Sequence, residues 1–244
     1  MDAFTQTPAS ADSLLALYPR LGIPHFQRGL VWNDEATALL LESLYSGTPC
    51  GTILLWRPQN PDKYGEACLP GEKYIDLLVD GQQRTRMLYR ALAGRQEDEK
   101  GWCLDLTCEP SFDGLLAGDP RASLFIFTAM DPQRRSTRHQ HNTVPLFDLL
   151  AADPQRWLSR CQVRLTDGTS PDQLQAALLA VRSKVVAMQL QPLFGVITLH
   201  ERDGRYGIDE VVSLYNRINS AGKRVEAEEM AFATLVKLYP GTVD

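Results

Sequence analysis

Apolar positions along the chain predict helices that alternate or mix with buried strands. Between Asn33 and Gly47 the apolar residues recur every three or four positions. This spacing predicts an amphipathic helix that Asn33 or Asp34 caps and Gly47 closes. Continuous apolar runs predict buried strands over 51–56 and 74–79. The other predicted elements are strands over 102–107, 124–128 and 194–199, and helices over 82–94, 145–150, 170–188, 209–219 and 226–238. This pattern predicts an α/β, or mixed α+β, protein.

The domain organisation follows from composition and length. With 244 residues, of which 44% are hydrophobic, the chain can bury one substantial core. Polar residues predict a flexible lead-in over residues 1–20, with a short helix at 13–17. Residues 21–244 are then expected to form one domain, with a helical portion from about residue 145 onward.

The net charge of the chain limits the kind of nucleic-acid contact that the protein can make. A net charge of −5 argues against a surface that is basic throughout, so a DNA contact would need a local patch. The loop 131–142 offers one, although arginines in a loop are more often simply solvated. Its candidate DNA contacts are Arg134, Arg135 and Arg138.

The five cysteines are widely scattered, and the closest pair, Cys103 and Cys108, lacks the two-residue gap of a zinc knuckle. They are interpreted as reduced thiols of a cytoplasmic protein. Residues 1–11 lack the features of a signal peptide, and no window is apolar enough to cross a membrane.

The strongest candidate for chemistry is the motif Asp-Gly-Gln-Gln-Arg at 80–84, between a predicted strand and a predicted helix. A helix start aims backbone N–H groups and a positive dipole end at one point, which suits a phosphate. Gly81 permits close approach, Arg84 suits a bidentate phosphate contact, and Asp80 suits a divalent cation. An ordinary turn with Asp80 as helix cap is about equally compatible, but two adjacent glutamines, which can orient a water, favour the nucleotide site.

A second cluster lies at 23–32. Arg28 stands beside a glycine and outside any helical stripe, which favours a ligand role over a solvated charge. Gln27 and Trp32 are able to contact or stack on a base, but for Trp32 core packing is the more common role.

A third cluster ends the helix predicted at 209–219. Arg217 and Asn219 lie off its apolar face, and Gly222 suits a left-handed closing position. By itself this cluster fits an ordinary helix C-terminus.

Together, the three clusters resemble in order and approximate spacing the GmrSD-type N-terminal domain family. The resemblance covers about residues 21–238 and includes the Glu-Met-Ala segment at 229–231. The Asp-Gly-Gln-Gln-Arg motif at 80–84 is its most specific part.

This resemblance implies a ParB/sulfiredoxin-like core with additional helices. It also implies that a nucleoside triphosphate is bound and hydrolysed with Mg²⁺, regulating a nuclease in a DNA-modification-dependent restriction or phage-defence system. The implied catalytic residues are Asp80, Gln82, Gln83 and Arg84, with Asp80 at the metal. The implied nucleotide-binding residues are Gln27, Arg28, Gly81, Arg84, Arg217 and Asn219.

The implied partners are a nucleotide, DNA in the full-length system, and a nuclease domain that is C-terminal or separate; a homodimer is also compatible. Because the chain ends at Asp244, we expect a fragment or a stand-alone sensor without nuclease activity. Two alternatives stay open: a non-catalytic nucleotide- or DNA-binding sensor module, and a ParB-like DNA-processing domain.

Overall fold

The computed structural model of the chain describes residues 3–27, 33–93, 100–105, 123–129, 143–150 and 171–222. Within these ranges the first half contains β1 (Phe4–Ala9), α1 (Ala11–Leu17), β2 (Leu21–Pro24), α2 (Asp34–Tyr45), β3 (Gly51–Arg57), β4 (Gly65–Ala67), β5 (Asp76–Asp80) and α3 (Gln82–Leu92). The second half contains β6 (Lys100–Asp105), β7 (Phe125–Ala129), β8 (Thr143–Pro145), α4 (Leu146–Leu150), α5 (Pro171–Leu190), β9 (Phe194–His200) and α6 (Ile208–Gly222).

A six-stranded mixed sheet forms the centre of the described fold, with strand order β1-β9-β3-β5-β2-β4. In it β5 lies antiparallel to β3 and parallel to β2, while β3 lies parallel to β9. A second sheet has three strands in the order β7-β6-β8. The mixed α/β class predicted from the apolar pattern is confirmed.

Both faces of the central sheet are covered, as the continuous apolar run of β3 predicts. Side chains alternate along a strand, so neighbouring residues belong to opposite faces. Leu55 joins a core shared with α1, α2, α3 and α5, whereas Leu54 and Trp56 join a core shared with α6. Strand β5, which leads into the site described below, also contributes to both cores: Leu78 to the first, Leu77 and Val79 to the second.

The N-terminal segment differs from the predicted flexible lead-in. Residues 4–9 form β1, which pairs antiparallel with β9, and residues 11–17 form α1. Ser10 caps α1 in a capping box with Ser13, and Leu14 is buried in the core. The polar sequence of β1 is consistent with an edge strand, whose residues up to Pro8 are exposed.

Predicted element boundaries agree with the structure to within a few residues. Asn33 caps α2 by accepting a hydrogen bond from the backbone N–H of Ala36 at 3.0 Å, and Gly47 has a φ of +72°. Helix α6 continues through Gly222, beyond its predicted end. The predicted helix over 226–238, the Glu-Met-Ala segment, and Trp32 lie outside the described residues.

Candidate functional site

The β5–α3 turn, defined as residues 80–84, is built around a glycine that no other residue replaces without strain. Gly81 has φ +90° and ψ +10°, in the left-handed region. A Cβ at Gly81 would also collide with the Cδ1 methyl of Ile53 on the neighbouring strand. The glycine thus lets the chain reverse sharply from strand to helix while it lies against β3.

Helix α3 begins directly after this glycine, and Gly81 rather than Asp80 is its N-cap residue. The interpretation of Asp80 as a helix cap is therefore wrong. Gly81 provides no side chain to cap the first turn, and that turn contains no acidic residue. Both the backbone N–H and the hydroxyl of Thr85 donate to the carbonyl of Gly81, each at 2.9 Å, which fixes the helix start. The resulting N-terminus has the electrostatic character that suits an anion.

A β-bulge precedes the turn. Leu55 of β3 pairs with Leu78, but the next pair joins Leu54 to Asp80, so Val79 is an extra residue on β5. The side-chain amide of Gln27 donates to the carbonyl of Leu78 at 2.6 Å and to that of Val79. Gln27, predicted at the nucleotide, thus holds the backbone that leads into Asp80.

Arg84 contacts three oxygen atoms, two at the beginning of β3 and one within the turn itself. Its Nη1 donates to the carbonyl of Cys50 at 2.9 Å, and its Nη2 donates to the carbonyl of Thr52 at 2.9 Å. The same Nη2 lies 3.4 Å from Oδ2 of Asp80. The guanidinium therefore links the beginning of β3 to the end of β5.

The carboxylate of Asp80 is accessible. Its side chain is 31% exposed, and its contact with Arg84 is long for a charged hydrogen bond. Gln82 and Gln83 are half-buried beside it at the first turn of α3. The turn therefore places one carboxylate, two amide side chains and a helix N-terminus at the same point of the fold.

The thiol of Cys50 is buried next to the guanidinium of Arg84. Burial raises the pKa of this thiol to about 11, against the opposing effect of the Arg84 charge. Burial likewise raises the pKa of Cys68 to about 12. Cys50 and Cys68 are free thiols, as the scattered cysteine pattern predicts.

The second and third clusters approach each other through an aromatic contact. The rings of Phe26 and Tyr215 lie 5.5 Å apart at an interplanar angle of 60°, which joins the segment after β2 to α6. Arg217, two residues further along α6, is exposed. Gln27 therefore lies against the backbone that leads into the β5–α3 turn. Helix α6 in turn contacts the segment that carries Gln27.

Several predicted site residues fall outside what the structure describes. Arg28, with the candidate DNA contacts Arg134, Arg135 and Arg138, lies in ranges that are not described, as does the side chain of Asn219. Their assignments stay predictions.

The described part of the chain contains no group of three or more histidine, cysteine, aspartate or glutamate side chains that would hold a metal ion. Mg²⁺ in nucleotide sites is commonly bound by one or two carboxylates together with phosphate oxygens and water. Asp80, accessible and beside a helix N-terminus, fits that mode.

Sequence reasoning missed three residues that shape this site. Gly51 has φ +90°, and a Cβ there would collide with Nη1 of Arg84. Ile53 packs against Gly81, and Thr85 anchors the start of α3. Thr85 was identifiable from its position one turn into the helix, whereas the contacts of Gly51 and Ile53 depend on which strands are neighbours.

Fold and turn together define a class: an α/β domain with a candidate anion-binding turn between a central strand and a helix. Residues 13–236 match the family of GmrSD restriction endonuclease N-terminal domains, and the chain belongs to this family. The resemblance drawn from the three clusters is thereby confirmed, and it places the chain in a family of restriction proteins. No curated protein matches the chain. Among the helices described, none has both the length and the apolar character to cross a membrane.

Proposed function

We propose that this domain binds a nucleoside triphosphate at the β5–α3 turn and hydrolyses it, and that this reaction regulates a nuclease domain of a restriction system. The observation that carries the proposal is the start of α3. There the N-cap is a left-handed glycine without a capping side chain, and an accessible aspartate stands directly before it. Such a helix start favours phosphate oxygens, and the aspartate favours the accompanying cation.

The phosphate groups are bound by the backbone N–H groups of the first turn of α3. Arg28 and Arg217, the latter exposed on α6, are proposed to provide positive charge at the pocket wall. Asn219 is proposed to close the same wall. This arrangement would bring residues of all three sequence clusters to one ligand.

Hydrolysis needs a water in line with the bond between the β- and γ-phosphates. The side-chain amides of Gln82 and Gln83 are proposed to orient that water without adding charge. The water oxygen forms the new bond to the γ-phosphorus, the bond to the β-phosphate oxygen breaks, and a proton passes from the water to a phosphate oxygen. Asp80 would hold Mg²⁺, which when bound neutralises charge on the β- and γ-phosphate oxygens.

A phosphate-release assay tests the proposal. The purified domain is incubated with Mg²⁺ and, separately, ATP, GTP, CTP and UTP, and the same series is repeated with Asp80→Asn. We expect turnover of at least one nucleotide, which Asp80→Asn abolishes. No turnover of any nucleotide, together with no nucleotide binding in calorimetry, would contradict the proposal.

The same pair of measurements separates the second candidate, a non-catalytic nucleotide sensor. The observation in its favour is that Asp80 is the single carboxylate of the β5–α3 turn, so the turn itself offers few groups able to act as a general base. Binding with no turnover would select the sensor. A DNA contact at Arg134, Arg135 and Arg138 stays a separate proposal, tested by the salt dependence of DNA binding in their alanine variants.

A further inference from the structure

The family resemblance implies that Arg84 contacts the triphosphate, but in the structure its side chain is bonded to the protein itself. Its guanidinium contacts three oxygens of the protein itself: the carbonyls of Cys50 and Thr52 and the carboxylate of Asp80. The two shorter contacts are with the backbone carbonyls of the residues on either side of Gly51, at the start of β3. The guanidinium is thus largely engaged, with its side chain only 22% exposed.

A second, independent observation is the shape of the backbone around the guanidinium. Gly51 has φ +90°, and a Cβ on it would occupy the position of Nη1 of Arg84. The left-handed backbone at Gly51 lies between the two carbonyls that receive Arg84. The beginning of β3 is therefore shaped to accept this side chain.

A second side chain bonds to backbone carbonyls on the other side of β5. There the amide of Gln27 donates to the carbonyls of the β-bulge, at Leu78 and Val79. Gln27 and Arg84 thus hold the backbone before and after Asp80 from two directions. A bulge re-aims the residue that follows it, so its geometry depends on such contacts.

We propose that Arg84 is a positioning residue, which fixes Asp80 and the start of α3 against β3, and that Gly51 is the residue that admits it. Arg84 then acts on hydrolysis through Asp80 and the β5–α3 turn, and not by binding the phosphates itself. The kinetic part of this inference rests on the proposed nucleotide hydrolysis, whereas its structural part does not.

Gly51→Ala and Arg84→Lys separate the two roles of Arg84. Gly51→Ala leaves the arginine in the chain but displaces its guanidinium, while Arg84→Lys keeps the charge but cannot bridge three oxygens. Gly71→Ala is the matched control, because Gly71 has φ +81° with no atom within 4 Å of an added Cβ. It introduces similar backbone strain away from the guanidinium.

The first readout is kinetic, using whichever of MgATP, MgGTP, MgCTP or MgUTP the wild type turns over. We expect Gly51→Ala and Arg84→Lys each to lower kcat by about a hundredfold, with the nucleotide Kd changed by no more than about twofold. The double variant should lose no more than either single variant, because both remove the same contact. Gly71→Ala should keep the kcat of the wild type. Unchanged kcat in Gly51→Ala, with a weaker nucleotide Kd in Arg84→Lys, would overturn the inference.

The second readout needs no nucleotide. Hydrogen–deuterium exchange is measured for residues 50–54 and 80–85 in the wild type and in the variants. Faster exchange in both segments of Arg84→Lys and Gly51→Ala, but not of Gly71→Ala, supports the positioning role even where the wild type binds no nucleotide and the proposed function fails. Unchanged exchange would overturn it. Arg84→Lys decides the question alone if Gly51→Ala does not fold.

Discussion

The two ends of β5 each carry an aspartate beside an arginine, and the two pairs differ in how completely the carboxylate is used. At the beginning of the strand, Arg57 donates from Nε and Nη2 to both carboxylate oxygens of Asp76, each at 2.7 Å. The side chain of Asp76 is 7% exposed. This bidentate pair ties the end of β3 to the beginning of β5.

At the other end of the same strand, Asp80 meets Arg84 through a single contact of 3.4 Å and keeps 31% of its side chain exposed. Arg84 directs its shorter hydrogen bonds to backbone carbonyls of β3 instead. Both carboxylate oxygens of Asp76 are thus bonded to Arg57 and nearly inaccessible, whereas the carboxylate of Asp80 retains capacity for a ligand. Residue type and a nearby arginine do not distinguish these two aspartates, but contact geometry does.

The largest expected effect is on turnover. Asp80→Asn should lower phosphate release by about a hundredfold or more, because it removes the charge proposed to hold the cation. Its free energy of unfolding should change by no more than about 0.5 kcal/mol, since its ion pair is weak and accessible. Asp76→Asn should keep the wild-type turnover per folded molecule, and a comparable loss of turnover in both variants would remove the functional distinction.

For stability, the larger loss is expected in Asp76→Asn and the smaller in Asp80→Asn. Asp76→Asn replaces two charge-assisted hydrogen bonds in a buried position and should lower the free energy of unfolding by about 1.5–3 kcal/mol. Urea denaturation of Asp76→Asn and Asp80→Asn measures both values. A smaller loss for Asp76→Asn than for Asp80→Asn would show that the short pair is not the structural one.

Gly81→Ala tests how tightly the β5–α3 turn packs against Ile53 of β3. The added Cβ meets Ile53 and the residue keeps a positive φ, so we expect a loss of about 1–2 kcal/mol beyond that of Gly204→Ala. Gly204 has φ +75° with open space around it, which isolates the backbone strain. Equal losses in the two variants, measured by thermal or urea unfolding, would mean that the approach to Ile53 is not tight.

The smallest effects on stability and on nucleotide binding are expected from substitution of Arg217. This residue is exposed on α6, so Arg217→Ala should change the free energy of unfolding by about 0.5 kcal/mol or less. A solvated contact to phosphate should weaken nucleotide binding about threefold to tenfold. Calorimetric titration measures this change, and an unaltered Kd would remove Arg217 from the pocket.

Local chemistry made part of this structure predictable. The amphipathic spacing of α2, the apolar run of β3 and the Asp-Gly pair before α3 are each specified by neighbouring residues, and their elements are found where expected. The site motif at 80–84 was identified for the same reason. Its glycine turn and helix start follow from a few adjacent residues.

Other features depend on contacts that neighbouring residues do not encode. The bulge at Val79 arises from the pairing of β3 with β5, and the role of Gly51 arises from the approach of Arg84 across that pairing. The pairing of β1 with β9 joins strands from opposite ends of the described chain. Strand order, which is set by packing of the whole core, was needed before any of these residues could be assigned a role.

Backbone amide shifts test the central claim most directly. The amides of Gly81, Gln82 and Gln83 are followed by NMR while a non-hydrolysable nucleoside triphosphate analogue is added with Mg²⁺. We predict saturable shifts at these three amides, which persist in Asp76→Asn, provided that variant is folded, and are reduced in Asp80→Asn. Saturable shifts confined to other parts of the chain, or no shifts with any of the four nucleotide bases, would contradict a phosphate site at the start of α3.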